Sequence, residues 1–259
     1  MSEARDQRSF FREVERDYWA AAEGLKPEER ALIEAHLDRD GVTLEAGTGG
    51  GRIVRAMAAL GFTRLAGFDF APELIDAARR ADAAGAIDFR VADATALPYG
   101  DAEFDQALYL QQIVCTIESR GGRRAALAEA ARVLRPGGVA LFSFLCLEGR
   151  ERSTVQRAYV AYLRALRRVR GSQREPQLMP RLRLRGRVNP GALRDAGPYT
   201  YWYRAAEAAA ELEGAGFRVK GLACGPDAAQ GALFGDATRL LAEGELDQTL
   251  YVVARRAAD

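Results

Sequence analysis

The 259-residue sequence holds one histidine and three cysteines. No apolar run approaches the roughly 18 residues needed to cross a bilayer, so no membrane partner is expected. The single histidine, His36, narrows acid–base chemistry: a histidine base is this residue or none. Cys115, Cys146 and Cys224 are odd in number and widely spaced. That argues against a disulfide framework and for reduced thiols in a cytoplasmic setting. Histidines, cysteines and acids nowhere cluster at metal-ligand spacing, so no metal is expected. The amino end, Met1–Arg8, is charged and has no signal-peptide apolar segment. A formal net charge of +1 rules out a strong overall field, so attraction for an anionic partner must be local. Internal repeats and long low-complexity tracts are missing as well.

What is present suits one α/β domain with additions, at 48% hydrophobic and 28% charged residues. The chain is organised around Val42-Thr-Leu-Glu-Ala-Gly-Thr-Gly-Gly-Gly-Arg52. Val42 to Leu44 read as a short buried strand with Glu45 at its carboxyl end. The glycines that follow can take positive φ and approach a ligand closely. Ile53, Val54, Met57 and Leu60 fall at helical spacing, and Gly61 is a natural stop. Strand, glycine loop and helix open a βαβ nucleotide-binding unit, with ligand expected beyond the carboxyl end of the strand.

A dinucleotide fingerprint needs Gly-x-Gly-x-x-Gly, but its third glycine would fall on Arg52. The glycines run Gly47, Gly49, Gly51 instead, and an acid, Glu45, precedes them by two. A carboxylate there would repel a pyrophosphate and favour a sulfonium or ammonium. This disfavours a dinucleotide oxidoreductase and points to a cationic, phosphate-free nucleoside, S-adenosylmethionine. The stretch resembles the first motif of the class I S-adenosylmethionine-dependent methyltransferases, acid-x-Gly-x-Gly-x-Gly. The resemblance implies a Rossmann-like, seven-stranded, mostly parallel sheet with helices on both faces and S-adenosylhomocysteine as product. It assigns Glu45, Ala46, Gly47, Thr48, Gly49 and Gly51 to the cofactor.

Further positions follow in chain order. Residues 64–69 read as a second strand ending in Asp69, where a carboxylate can accept from both hydroxyls of a ribose. Phe70 beside it can pack on adenine, and Pro72 starts the next helix. The third strand, 87–92, is closed by Asp93 and Ala94. In the resembled family these positions receive the adenine amine and donate a backbone N–H to the ring. Leu97-Pro-Tyr-Gly-Asp-Ala-Glu-Phe-Asp105 resembles the family's connection into strand four, residues 106–110. Leu110 and Gln111 are then expected to contact the methionine part of the cofactor. The histidine pair of many small-molecule members would fall at Val114 and Cys115, so no family histidine carries over. Arg135-Pro-Gly-Gly138 resembles the turn before strand five, 139–144.

The amino-terminal helices place Tyr18 and Trp19 either on the sheet or in a lid over the cofactor. Residues 145–200 form a long arginine-rich insertion after strand five. Its helix is expected over 154–169, and 182–188 alternates as an edge strand or hairpin arm would. These arginines form either a solvated face or a site for an anionic small molecule or RNA phosphates. Tyr199, Tyr201, Trp202 and Tyr203 either border the acceptor pocket or anchor the insertion; both readings stand at this point. The chain thus divides into a cap (1–41), a cofactor-binding core (42–144), the insertion or substrate lid (145–200) and the rest of the sheet (201–259). The expected activity is direct in-line methyl transfer to a small anionic or aromatic acceptor. Proton removal would fall to Tyr109, a pocket carboxylate or solvent. The alternatives are a tRNA or rRNA methyltransferase gripping phosphates through the insertion, and a cofactor-binding scaffold without turnover.

Overall fold

The computed structural model describes residues 22–184 and 187–258. Eleven strands follow one another along it: β1 Thr43–Ala46, β2 Leu65–Asp69, β3 Ile87–Val91, β4 Phe104–Tyr109, β5 Leu134–Leu145, β6 Leu178–Pro180, β7 Arg183–Leu184, β8 Arg187–Val188, β9 Tyr199–Tyr201, β10 Phe217–Cys224 and β11 Thr249–Arg256. Seven of them form one sheet in the order β3-β2-β1-β4-β5-β11-β10. The first five are parallel, and β11 runs antiparallel to both its neighbours. The strand order therefore reverses between β1 and β4, and a crevice opens at the carboxyl ends of the strands flanking that point.

Both faces of the sheet are covered, which is why its strands read as near-continuous apolar runs. The helices are α1 Pro27–His36, α2 Arg52–Ala59, α3 Pro72–Ala81, α4 Arg120–Val133, α5 Leu147–Glu151, α6 Thr154–Val169, α7 Ala205–Gly214, α8 Gly225–Ala229 and α9 Ala237–Glu243. Leu32 and Ile33 of α1, Ile53 and Met57 of α2 and Ile75 of α3 pack with Leu108, Tyr251 and Val253 on one face. Leu127 of α4, Ala208 and Leu212 of α7 and Leu240 of α9 pack with Leu44, Phe142 and Val252 on the other. Successive residues of a strand alternate between these layers. None of the helices, among the described residues, is long and apolar enough to cross a membrane. The three cysteines are free, buried thiols.

Two family-like turns prove to be framework. Tyr99 of the Leu-Pro-Tyr connection is buried edge-on against Phe104, with ring centroids 5.0 Å apart. In the Arg-Pro-Gly-Gly turn β5 already begins at Leu134, and its register with β4 shifts around the turn. A Cβ on Gly138 would meet the Asp105 carbonyl at 2.8 Å, so only glycine fits there.

The insertion has its own small core of Leu147, Tyr159, Val160, Leu163, Met179, Ala192 and Trp202. β6 pairs with β9, and of the two readings of 182–188, edge strand or hairpin arm, the second applies: β7 and β8 pair antiparallel with each other. Several of its arginines are structural. Arg167 is buried, holds Asp195 through two bonds of 2.8 and 2.7 Å and donates to the Leu178 carbonyl. Arg150 lies buried over the Trp202 ring at 4.1 Å with no carboxylate partner among the described residues, and burial lowers its guanidinium to about 10.

Candidate functional site

A cavity of about 390 Å³ opens where the strand order reverses. Its walls come from the segments at and after the ends of β1, β2, β3 and β4: Gly47 and Gly49; Asp69 and Phe70; Asp93, Ala94 and Thr95; and Gln111, Ile113 and Thr116 to Ser119. Gly47 and Gly49 have φ of 62° and 56°, a region costly for other residues. A Cβ on Gly47 would also run into the Ile113 side chain across the cleft.

Asp69 is 5% exposed and lines the cavity. One of its oxygens accepts from the Gly49 N–H and the other from the Ala71 N–H, both at 3.0 Å. The Phe70 N–H also acts on this carboxylate, and three amide donors leave about one of its four acceptor sites for a ligand hydroxyl. Burial, partly offset by these amides, raises its pKa above the ordinary carboxylate value. Asp93 closes its own turn, accepting from the backbone N–H and the hydroxyl of Thr95 at 2.9 and 2.8 Å. Phe70, Phe68, Leu74, Ile113 and Ile117 supply apolar wall.

Gln111 and Gln112 both sit in the left-handed region, at φ 63° and 59°. Each non-glycine residue there costs on the order of 1 kcal/mol or more. The Gln112 N–H donates to the buried Ser143 hydroxyl at 2.9 Å, which helps hold the turn. The turn carries Gln111 into the cavity wall, whereas Leu110 is buried in the core beneath it.

Glu45 departs from its expected role. It lies within β1, not at its tip, and is not among the cavity-lining residues. Leu44 and Ala46 face one layer, so the pleat turns Glu45 toward the layer covered by α2. There one carboxylate oxygen accepts from the Thr48 hydroxyl at 2.5 Å and the Val54 N–H at 3.3 Å. The other oxygen has no partner among the described residues. Desolvation raises its pKa to about 8, against the opposing effects of Thr48 and Arg52. A carboxyl whose folded pKa is raised contributes most stability below its unfolded value and loses it as pH climbs through the folded one. Parent stability should therefore fall between about pH 4.5 and 8 relative to Glu45→Gln. Melting curves of the two proteins across that window check this; parallel curves would refute it.

Thr48 and Gly51 likewise build the loop without lining the cavity. Thr48 is buried against Gly67, and Gly51 caps α2 at φ 82°. Ala46 belongs to the core. Tyr18 and Trp19 lie outside the described residues. Tyr199, Tyr201, Trp202 and Tyr203 do not line the cavity either. Tyr199, Tyr201 and Tyr203 are buried in the main core, where Tyr203 packs edge-on against Phe144 at 4.8 Å. Trp202 turns the other way, into the core of the insertion.

Of the groups considered for proton removal, carboxylates do line the cavity, in Asp69, Asp93 and Glu118, whereas Tyr109 does not. Tyr109 is fully buried in the core, and burial raises its phenol well above the ordinary value. Val114 and Cys115 are buried too, with the Cys115 thiol pushed up to about 12. His36 sits on α1, away from the cavity lining, with its pKa lowered by burial and then by Arg255.

The wall from Thr116 to Ser119 was not foreseen; a Thr-Ile-Glu-Ser run before a helix carries no distinctive signal. Arg123 of α4 fixes it by donating to the Ile117 and Glu118 carbonyls at 3.3 and 2.7 Å. The same guanidinium holds Glu175 of the insertion at 2.6 Å and stacks 3.7 Å over the Tyr201 ring. The insertion thus braces the cleft from behind without lining it.

A family model described as a methyltransferase domain matches residues 44–142, the stretch that carries all four ligand-facing loops. Over those residues the chain is similar to a methyltransferase domain. The chain is 35% identical over 98 residues to the O-methyltransferase cnsE of Penicillium expansum, covering 36% of this chain and 34% of that protein. The chain thus spans about a third of the length of the curated relatives it matches. Among solved structures, the CcbJ methyltransferase from Streptomyces caelestis aligns with a TM-score of 0.64 at 17% identity, over 96% of this chain and 98% of that one. The 1,6-didemethyltoxoflavin-N1-methyltransferase of Burkholderia thailandensis, solved with its substrate and S-adenosylhomocysteine, aligns with a TM-score of 0.58 at 20% identity, over 97% of this chain and 87% of that one. At such identities the likeness is one of fold.

Proposed function

We propose that this protein transfers a methyl group from S-adenosylmethionine to a hydroxyl of a small aromatic acceptor. The observation that carries the reading is the donor set of the cleft. Asp69, Asp93 and Glu118 line it, and among the described lining residues there is no lysine, arginine or histidine. Such a surface suits a cation and opposes a pyrophosphate. Asp69 would accept from a ribose hydroxyl, Asp93 and the Ala94 backbone would meet adenine, and Phe70 would pack on its ring. Bound S-adenosylmethionine supplies an electrophilic methyl on its sulfonium. The task left to the protein is alignment and exclusion of water. Ile113 and Ile117 shed water from the cleft, and the strained turn at Gln111 fixes the floor.

Of the two acceptor classes expected from sequence, the aromatic one is favoured. The apolar wall suits a flat ring, while the described lining offers an anion no counter-charge. The names of the curated relatives support oxygen as the accepting atom. The RNA alternative is disfavoured because arginines such as Arg150 and Arg167 are committed inside the insertion.

The test incubates purified protein with methyl-labelled S-adenosylmethionine and a fractionated cell extract, then identifies the labelled product. A labelled small phenol ether is expected. Label in RNA would overturn the acceptor, and S-adenosylhomocysteine binding without any labelled product would leave a scaffold.

A further inference from the structure

Among the described residues, none from the insertion lines the cavity, whereas Thr116 to Ser119 supply one of its walls. That wall is a short link between two helical turns. The Ile117 N–H donates to the Val114 carbonyl at 3.2 Å, and the Ser119 hydroxyl caps α4 by accepting from the Gly122 N–H at 3.0 Å. Between these local bonds the Ile117 and Glu118 carbonyls turn to one guanidinium, that of Arg123. Where the wall stands therefore depends on where that guanidinium points.

Arg123 is buried, and its one ion pair among the described residues is with Glu175 of the insertion, at 2.6 Å. Charge-assisted bonds of this kind are the short, strong ones that fix a direction. Glu175 is itself anchored: its carbonyl accepts from the Arg167 guanidinium at 3.0 Å and from the Leu178 N–H at 3.1 Å. Arg167 in turn is clamped by Asp195 in the core of the insertion. Below the guanidinium the Tyr201 ring is held by its own hydroxyl, which donates to Glu207 of α7. An unbroken series of polar contacts thus runs from the insertion to the cleft. A buried guanidinium deprived of its carboxylate must turn toward another acceptor or water, and in turning it would release the two carbonyls of the wall.

We propose that Glu175 is a positioning residue for the cleft, acting through Arg123. The insertion sets the place of the Thr116–Ser119 wall, and so how closely the site fits its ligand, although Glu175 does not line that site. The effect on ligand rests on the reading of this cavity as the S-adenosylmethionine site. The hold on the wall does not, because it can be measured without ligand.

The test combines hydrogen–deuterium exchange on peptides covering residues 113–123 with calorimetric titration of S-adenosylhomocysteine, both on the full chain. In Glu175→Ala, exchange in this segment is expected to quicken about ten-fold, and affinity to fall about ten-fold. The Glu175 side chain is 34% exposed, so the substitution opens no hole in a core. Glu175→Gln keeps an oxygen to accept from Arg123 and should recover part of both losses. Glu151→Ala is the control: it removes another insertion carboxylate, paired with Arg164 and Arg204 but with no bond to the wall, and should match the parent in both measurements. A merely structural ion pair would lower the melting temperature and leave the affinity of the folded protein unchanged. The proposal is overturned if Glu175→Ala exchanges like the parent over 113–123, or if exchange quickens while affinity holds. It is overturned too if Glu151→Ala loosens the segment equally. A parent that failed to bind S-adenosylhomocysteine would end the methyltransferase reading, while exchange would still decide whether Glu175 holds the wall.

Discussion

Asp69→Asn is expected to weaken S-adenosylhomocysteine binding roughly 100-fold, about 2.7 kcal/mol. The substitution keeps size and shape but replaces one acceptor oxygen with a donor. In the parent one carboxylate oxygen accepts from the Gly49 N–H and the other from the Ala71 N–H, each at 3.0 Å. An amide group can accept from only one of them, and its NH2 would confront the other N–H. The same change removes the charged acceptor from the proposed ribose hydroxyl, and hydrogen bonds to charged groups are worth about 1.5–3 kcal/mol. Calorimetric titration with S-adenosylhomocysteine measures the affinity, and a melting curve separates it from unfolding. Parent-like affinity would remove Asp69 from the site.

The largest loss of stability is expected from Arg52→Ala, roughly 3–5 kcal/mol. Arg52 and Glu29 are both buried and joined by two bonds of 2.7 Å, and the same guanidinium donates to the Gly24 carbonyl. Without it Glu29 is left as a buried charge with no cation, and Glu45 loses a favourable neighbour. For a chain of this size the melting temperature should drop by roughly 10 °C. The combined change Glu29→Gln/Arg52→Met should recover most of the loss, since it leaves no buried charge at either position. A single variant melting within about a degree of the parent would mean that the pair contributes little.

Arg52 also shows how much of the site could be read beforehand. Its place in the chain told against a dinucleotide, because a glycine was required there. That it instead clamps α1 to the glycine loop depends on Glu29, 23 residues earlier, a pairing no local pattern reveals. Asp69, Asp93 and the glycine loop were legible because each stands immediately after a strand whose apolar run is itself legible, and parallel strands bring those ends together. Glu45 was counted from the glycines, but the pleat decided its direction. The aromatic run from Tyr199 to Tyr203 had the same ambiguity: alternation sends Tyr201 and Tyr203 to the main core and Trp202 to the insertion.

The sequence by itself determined the order of strands and helices, the loop that approaches the ligand and the carboxylates beside it. Those features rest on spacing and on conformations that few residues tolerate. Only the tertiary structure decided which acids face the cleft, that the wall runs from Thr116 to Ser119, and that Arg123 ties it to the insertion. Each of these depends on contacts between segments far apart in the chain, where burial and hydrogen bonding, not neighbouring residues, set the direction of a side chain.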